Sequence, residues 1–513
     1  MNVSESRPRR TDPRVPLPLP DSRARLVGVV RCGGVGTALR LRMLIVAATV
    51  SCAPVAAGTR PAAAAPLVFD GATVVDVAHG RLLPAQRVVV VGTRIRAVGS
   101  IRSVRMPPGA QIIDARGKYL IPGLWDMHVH PRRMAHLFYP LLIAHGVTGI
   151  RDAGSEVPLD TLTKWKQQIA AGTRVGPRLI VVGPALDERV PCTRTPAIHI
   201  CVATVADARQ VVDSLQKAGV DMIKTYDLSE RMYFAVVGAA RRVGLPVGGH
   251  IHARQVTALE ASDSGAAILD HLNTSGGLDT LCWGDAATIE RCQPLAERFR
   301  RQGTWFTPTL MRFAVEQGRG MTSRSQALYA RFTAAVGEFW SESVPTSGAF
   351  IDTGAAGAAA RVEVAPAASA SSMGAMYVMR RVDLPILAGT DAGAPVLLSL
   401  PPGLSLHTEL AMYVADGLTP LAALQAATLN PARFLGGTDS LGTIESGKLA
   451  DLVLLDADPL ADISNTTRIR AVVANGRYFD RTALNRLLAK VKAQVLGTTV
   501  LATDDSLHKE EVP

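Results

Sequence analysis

Between about residues 118 and 437 the chain alternates short apolar, β-branched runs with helix-patterned stretches, and this alternation limits the fold more than any other feature. The strand-like runs are 120–130, 147–152, 178–182, 221–224, 245–250, 266–271, 305–309 and 384–389. Helix-patterned pieces such as 207–218 and 230–243 lie between them, spaced as right-handed crossovers between parallel strands require. Eight such units in this length predict an α/β protein built on a (β/α)8 TIM barrel over 118–437. Residues 353–372, rich in Ala, Ser and Gly, read as a mobile or helical excursion late in the barrel, with no function assigned.

Both flanks of this middle are β-rich. Residues 66–117 hold β-branched runs at 67–69, 72–77, 87–91, 94–99 and 111–115, separated by Gly and Pro breakers. A matching set lies at 449–456 and 469–477. The expectation is one small composite β-sandwich domain, built from 66–117 and 438–485, followed by a C-terminal helix and tail over 486–513.

The net charge of +11 invites a nucleic-acid reading, but nine arginines against three acids fall in residues 1–42. The rest is scattered without a basic stripe interleaved with aromatics, so no nucleic-acid partner is expected. Residues 1–42 read as a disordered basic leader, and 43–65 as a signal peptide with an apolar centre and an Ala-rich end. That apolar stretch is too short for a stable membrane span. Export to the periplasm or medium follows as an expectation, with lipid attachment at Cys52 a weaker one. In an exported chain the close pairs Cys192/Cys201 and Cys282/Cys292 suit local disulfides, with unpaired buried thiols as the alternative.

The first barrel run reads Leu120-Ile121-Pro122-Gly123-Leu124-Trp125-Asp126-Met127-His128-Val129-His130. Alternate side chains of a strand leave one face, so His128 and His130 point together. Alone, such a pair is more often polar surface or satisfied core than half a metal site. In a barrel, however, functional groups sit at the C-terminal strand ends. Lys224 ends the fourth run, His250 the fifth and His271 the sixth, and Asp391 follows the eighth. Singly these are a solvated amine, surface imidazoles and a helix N-cap; together, at five strand ends, they point to a metal site.

With these motifs, and with Gly146-Val147-Thr148-Gly149-Ile150-Arg151-Asp152, Gly389-Thr390-Asp391-Ala392-Gly393, Ala426-Ala427-Thr428-Leu429-Asn430-Pro431-Ala432 and the stretch Gly442–Val453, the sequence resembles the amidohydrolase superfamily. The likeness runs from about Phe69 to Arg477 and is nearest to the imidazolonepropionase-like and prolidase-like branch, whose members hydrolyse amide, cyclic-amide or dipeptide bonds. The resemblance implies two divalent ions, zinc being the expected metal. His128, His130 and Asp391 would hold one, and His250 with His271 the other. Lys224 matches the position of a carbamylated lysine bridging the ions. An ammonium cannot ligate a cation, whereas CO2 addition supplies an anionic oxygen. The ions would share a hydroxide of lowered pKa, and Asp391 would take its proton and pass it to the leaving nitrogen. His252 departs from close relatives and reads as a substrate contact or spare ligand. Tyr226 and His407 are further substrate-contact candidates, with loop packing and a helix-start surface position as their plain alternatives.

The sequence therefore predicts a metal-dependent hydrolase of C–N bonds acting on a small molecule, with self-association into a homo-oligomer left open. A lactone, ester or phosphotriester hydrolase on the same two ions is the alternative within enzymes. A non-catalytic metal-binding protein on the same fold is the alternative outside them.

Overall fold

The computed structural model describes residues 65–155, 157–189, 198–251, 255–272, 274–283, 287–312, 375–393 and 400–501. The basic leader, the signal-peptide region with Cys52, and the Ala-rich 353–372 stretch therefore lie outside the described residues. In chain order the strands are β1 (Leu67–Asp76), β2 (Arg81–Val91), β3 (Arg94–Ser100), β4 (Gln111–Asp114), β5 (Tyr119–Pro122), β6 (Leu124–Val129), β7 (Val147–Asp152), β8 (Arg178–Val181) and β9 (Ala185–Asp187). They continue with β10 (His199–Cys201), β11 (Ile223–Thr225), β12 (Val247–Gly249), β13 (Ile268–Asp270), β14 (Trp305–Thr307), β15 (Leu452–Leu455), β16 (Ile469–Ala474) and β17 (Arg477–Asp480).

One eight-stranded sheet draws on both ends of the chain, in the order β17-β16-β15-β5-β1-β2-β3, with β4 paired to β1. The seam is the antiparallel β5–β15 ladder, Pro122 opposite Leu452 and Tyr119 opposite Leu455. All four residues of β15 are apolar and buried, as a strand covered on both faces requires. Phe69, Val74, Val88, Leu120, Leu452 and Val473 form the core of this sheet.

The expected first barrel strand, 120–130, is two strands. β5 belongs to the flank sheet and β6 to the middle, with Gly123 between them donating its N–H to the Asp451 carbonyl (2.8 Å). A Cβ on Gly123 would stand 2.0 Å from Thr148 Oγ1, so only glycine lets the chain change sheets here. The parallel ladders of the middle begin with β6 at Leu124.

The middle strands are parallel and lie in two ladders, β6-β7-β8 and β10-β9-β11-β12-β13-β14. The expected eighth strand, 384–389, is not a strand. Single bridges join Ile386 to Phe306 and Ala392 to Val129, and Met127 N donates to the Ala388 carbonyl (2.8 Å). The segment thus lies between β14 and β6 without a continuous ladder; Gly389 and the left-handed Asp391 (φ 62°) interrupt it. Among the described residues the strand pairing comprises these two ladders rather than the single continuous ring that the (β/α)8 expectation called for. The short β9 and β10 had no counterpart among the expected runs.

Three of the helices between strands begin at side-chain caps. Thr204 and Asp207 form a reciprocal box at Val205–Lys217, Thr257 and Glu260 another at Ala258–Ser264, and Ser229 caps Glu230–Arg242. Two of these helices match the expected 207–218 and 230–243. The C-terminal helix, Arg481–Leu501, starts five residues before the expected 486 and lays Val491 and Leu488 on Leu137 and Leu141.

Candidate metal centre

β6 is buried along its whole length, polar Asp126 and His128 included. Burying these groups is costly unless each finds a partner. Asp126 Oδ1 accepts from the backbone N–H of His128 and of Thr390 (both 3.1 Å), and Oδ2 accepts from Thr390 Oγ1 (2.7 Å). One carboxylate thereby clamps the strand end carrying His128 to the segment carrying Asp391. Burial, only partly offset by the Thr390 bond, raises the Asp126 carboxyl to about 7.

Around this clamp the predicted ligands converge. His128 Nε2 and His130 Nε2 lie 3.3 and 3.0 Å from Asp391 Oδ1, and His271 Nε2 lies 4.0 Å from Asp391 Oδ2. One ligating atom each from His128, His271 and Asp391 falls within 4.8 Å of the others. The His250 ring centroid is 4.7 Å from that of His271, which is 4.4 Å from that of His128.

Burial, reinforced by the Lys224 charge for His128 and His250 and by the His128 ring for His271, holds these imidazoles below the ordinary histidine value. The neutral form that burial favours is the one that ligates a metal. Burial works to raise Asp391, but the charge that His271 and His128 carry when protonated outweighs it and holds the carboxyl well below its ordinary range.

Two observations fit a cation here. His128 Nε2 and Asp391 Oδ1 are buried and have no hydrogen-bond partner, a cost that a cation between them removes. The outer nitrogens of two imidazoles are also oriented. His130 Nδ1 donates to the Gly154 carbonyl (3.2 Å), and His271 Nδ1 lies 2.7 Å from Thr309 Oγ1, turning each Nε2 inward. His271, Thr309 and Asp391 all adopt left-handed backbone (φ 60°, 53° and 62°), a strain of roughly 1–3 kcal/mol each that clusters at functional sites.

Lys224 reaches the cluster through a residue the sequence reading did not single out. Its Nζ donates to Asp270 Oδ2 (2.6 Å), and Asp270 Oδ1 lies 3.2 Å from His128 Nδ1. Arg151, fully buried, donates to that same Oδ1 through Nη2 and to the Met127 carbonyl through Nε (2.6 Å). Burial would raise Asp270, but Arg151 and Lys224 hold it well below the ordinary carboxylate range. Burial lowers Lys224 to about 8 against the pull of Asp270.

Tyr226 stands beside the ligands, its ring 4.5 Å from His250. Arg312 Nε lies 3.4 Å from Asp391 Oδ2. His407 does not join the site: its Nε2 donates to the His145 carbonyl (2.9 Å) and its Nδ1 lies 2.9 Å from Thr466 Oγ1, deep in a packed interface. The apolar helix Leu404–Ala415 buries it there, which its expected position at a helix start did not reveal. His252 and Cys192 lie outside the described residues. Cys282 and Cys292 form a disulfide, Cα to Cα 4.8 Å, and Cys201 is disulfide-bonded.

Asp126, Arg151 and Asp270 each adjoin a motif histidine or lie within a quoted motif. A charged residue beside a motif histidine was the available signal. Arg312, in a helical stretch just past β14, lay outside every quoted motif.

A sequence profile described as the amidohydrolase family matches residues 119–478. Adenine deaminase 3 of Rhizobium meliloti is 23% identical over 78% of the chain and 56% of its own length, and adenine deaminase of Rubrobacter xylanophilus 27% over 80% and 58%. The chain thus spans a little over half the length of these relatives. Imidazolonepropionase of Pyrobaculum arsenaticum is 49% identical over a shorter stretch, 15% of the chain and 18% of its own length. Among solved structures, a putative prolidase from Bifidobacterium longum superposes with a TM-score of 0.59 at 24% identity, covering 84% of this chain and 99% of that one. Phenylurea hydrolase B gives 0.58 at 21%, covering 82% and 98%. At such identities the structural likeness speaks for the fold alone.

Proposed function

Since the chain belongs to the amidohydrolase family, we propose that it is a metal-dependent hydrolase cleaving a carbon–nitrogen bond in a small molecule. The observation that carries this reading is the pair of buried, unpartnered ligating atoms, His128 Nε2 and Asp391 Oδ1, amid three further imidazoles. His128, His130 and Asp391 would hold one divalent ion and His250 with His271 a second. Imidazole and carboxylate donors suit zinc. Lys224, once released from Asp270 and joined to CO2, would offer a carbamate oxygen to both. When bound, such ions supply Lewis acidity and bring the ionisation of water toward neutral pH.

The chain's own residues do the rest. Asp391 accepts the proton of the attacking water on its carboxylate and returns it to the departing nitrogen, so that an amine rather than an amide anion leaves. Asp126 and Asp270 keep His128 in place. Tyr226, exposed at the edge of the cluster, touches the substrate. We also propose that the two parallel ladders are arcs of one (β/α)8 barrel, a form that the family's fold supports.

We propose export as well, supported by the Cys282–Cys292 disulfide. Among the described residues no helix is long and apolar enough to cross a membrane. Mass spectrometry of exported protein should find an N-terminus after Ser51, and cytosolic protein retaining Met1 would contradict this.

The reaction is tested by a hydrolysis screen of the metal-reconstituted protein on N-acyl amino acids, Xaa-Pro dipeptides, lactones and phosphotriesters. Turnover of an amide bond is expected. Turnover confined to lactones or phosphotriesters would overturn the C–N assignment.

A further inference from the structure

Strand β14 ends at Thr307, and residues 308–312 after it bring two polar groups to the metal centre. Thr309 Oγ1 donates its proton to the Pro308 carbonyl (2.8 Å). At 2.7 Å from His271 Nδ1 it therefore accepts, so Nδ1 is the donor and Nε2 is the ring atom left for a cation. Three residues on, Arg312 Nε lies 3.4 Å from Asp391 Oδ2. One short turn thus touches two of the five proposed ligands.

Nothing local explains why the turn holds its shape. Thr309 is left-handed (φ 53°), a conformation that a β-branched residue adopts only where its surroundings impose it. Pro308 has no N–H to tie the backbone down. Leu310 and Met311 open a helical turn, so their N–H groups have no partner within it. Both are taken by one distant side chain: Glu409 Oε1 accepts from the Leu310 N–H and Oε2 from the Met311 N–H, each at 2.7 Å. Glu409 is fully buried on the helix Leu404–Ala415, where Tyr413, one turn further, sets its hydroxyl 3.4 Å from the Leu387 carbonyl ahead of Asp391. Burial raises the Glu409 carboxyl to about 8 against the pull of its N–H bonds. A carboxyl accepts through both oxygens in either protonation state, whereas an amide accepts through one. The hydrolytic reaction gives this costly buried group no task.

We propose that Glu409 is a positioning residue of the metal centre, whose carboxyl fixes the turn that sets Thr309 against His271 and Arg312 against Asp391. This rests on the metal-binding part of the hydrolase reading and goes beyond it. An imidazole whose outer nitrogen is oriented keeps its inner one aimed at the ion, and losing such a partner weakens metal binding by about 10–100-fold. Glu409 acts one step further out, through the backbone that carries Thr309 and Arg312.

The test is stepwise removal of zinc from the zinc-loaded full chain by a chromophoric chelator, which yields zinc dissociation constants without any substrate. Glu409→Gln keeps the side chain's size but turns one acceptor into a donor. It should raise at least one zinc dissociation constant about tenfold or more, and Thr309→Val should do the same. In a Thr309→Val/Arg312→Met background, Glu409→Gln should add less than about twofold, because the groups it positions are gone. A lowered thermal midpoint in Glu409→Gln with zinc affinity unchanged, or a full effect persisting in that background, would overturn the proposal. If Glu409→Gln does not fold, Thr309→Val decides alone, and unchanged zinc affinity there overturns the proposal. Wild type that takes up no zinc would overturn it together with the hydrolase reading. Zinc binding that depends on Glu409 in a protein hydrolysing no C–N bond would uphold the assignment of Glu409 and defeat the hydrolase reading alone.

Discussion

Asp270 holds two buried cations at once: its Oδ2 accepts from Lys224 Nζ at 2.6 Å, and its Oδ1 accepts from Arg151. All three side chains are sealed from water. In the metal-free protein, where Lys224 is an ammonium, replacing Asp270 by Ala leaves two buried charges uncompensated, at a cost of roughly 3–5 kcal/mol. Chemical denaturation should show this loss. The double variant Asp270→Ala/Lys224→Met should recover part of it, because one orphaned charge is then gone.

Asp391 is expected to matter to the chemistry more than to the fold. Asp391→Asn keeps an oxygen facing His128 and His130 but cannot take up a proton at neutral pH. The hydrolytic kcat should fall by about 10²–10⁴-fold while bound metal persists. Steady-state kinetics beside metal content separates the two effects, and a parallel loss of both would assign Asp391 to metal retention alone.

Gly389 sits where the segment before Asp391 crosses His128. An added Cβ would stand 2.5 Å from Thr307 Cγ2 and 2.9 Å from His128 Cβ. Gly389→Ala should cost about 1–3 kcal/mol by overpacking and weaken metal binding by shifting His128. Gly238, in the helix Glu230–Arg242 with nothing within 4 Å of a built Cβ, is the control. Gly238→Ala should stabilise by roughly 0.5–1 kcal/mol. Thermal denaturation of the two variants checks both signs.

The residues that were legible in the sequence are those whose chemistry is local. His128, His130, His250 and His271 each stand at or just after a strand end, where alternation and the barrel rule point, and Asp391 follows the extended segment that lies between β14 and β6. Asp270 and Arg151 were not legible, because their roles arise from meeting across elements more than a hundred positions apart. Gly123 hid a change of sheet inside an uninterrupted apolar run, since the clash that makes it necessary comes from Thr148 on the neighbouring strand. His407 misled for the converse reason. Its partners, the His145 carbonyl and Thr466, come from distant segments, so no local pattern could mark it as structural.

His407 and His145 make the fold sensitive to acid. Burial lowers them to about 4 and about 3, below the ordinary value of 6.5. Between these limits the unfolded chain binds more protons than the native one. Their stabilising contribution is therefore full above pH 6.5 and is lost as pH falls through 4 and then 3. For His407 this amounts to about 3 kcal/mol. Urea midpoints should drop steadily below pH 6.5, and His407→Gln should flatten part of that slope.

The central claim is that His128, His130, His250, His271 and Asp391 meet to bind divalent metal. Inductively coupled plasma mass spectrometry of protein purified without chelators measures this most directly. About two divalent ions per chain are expected, with turnover abolished by their removal and restored by their return. Protein that is metal-free when so purified, and whose activity is indifferent to added metal, would contradict the account.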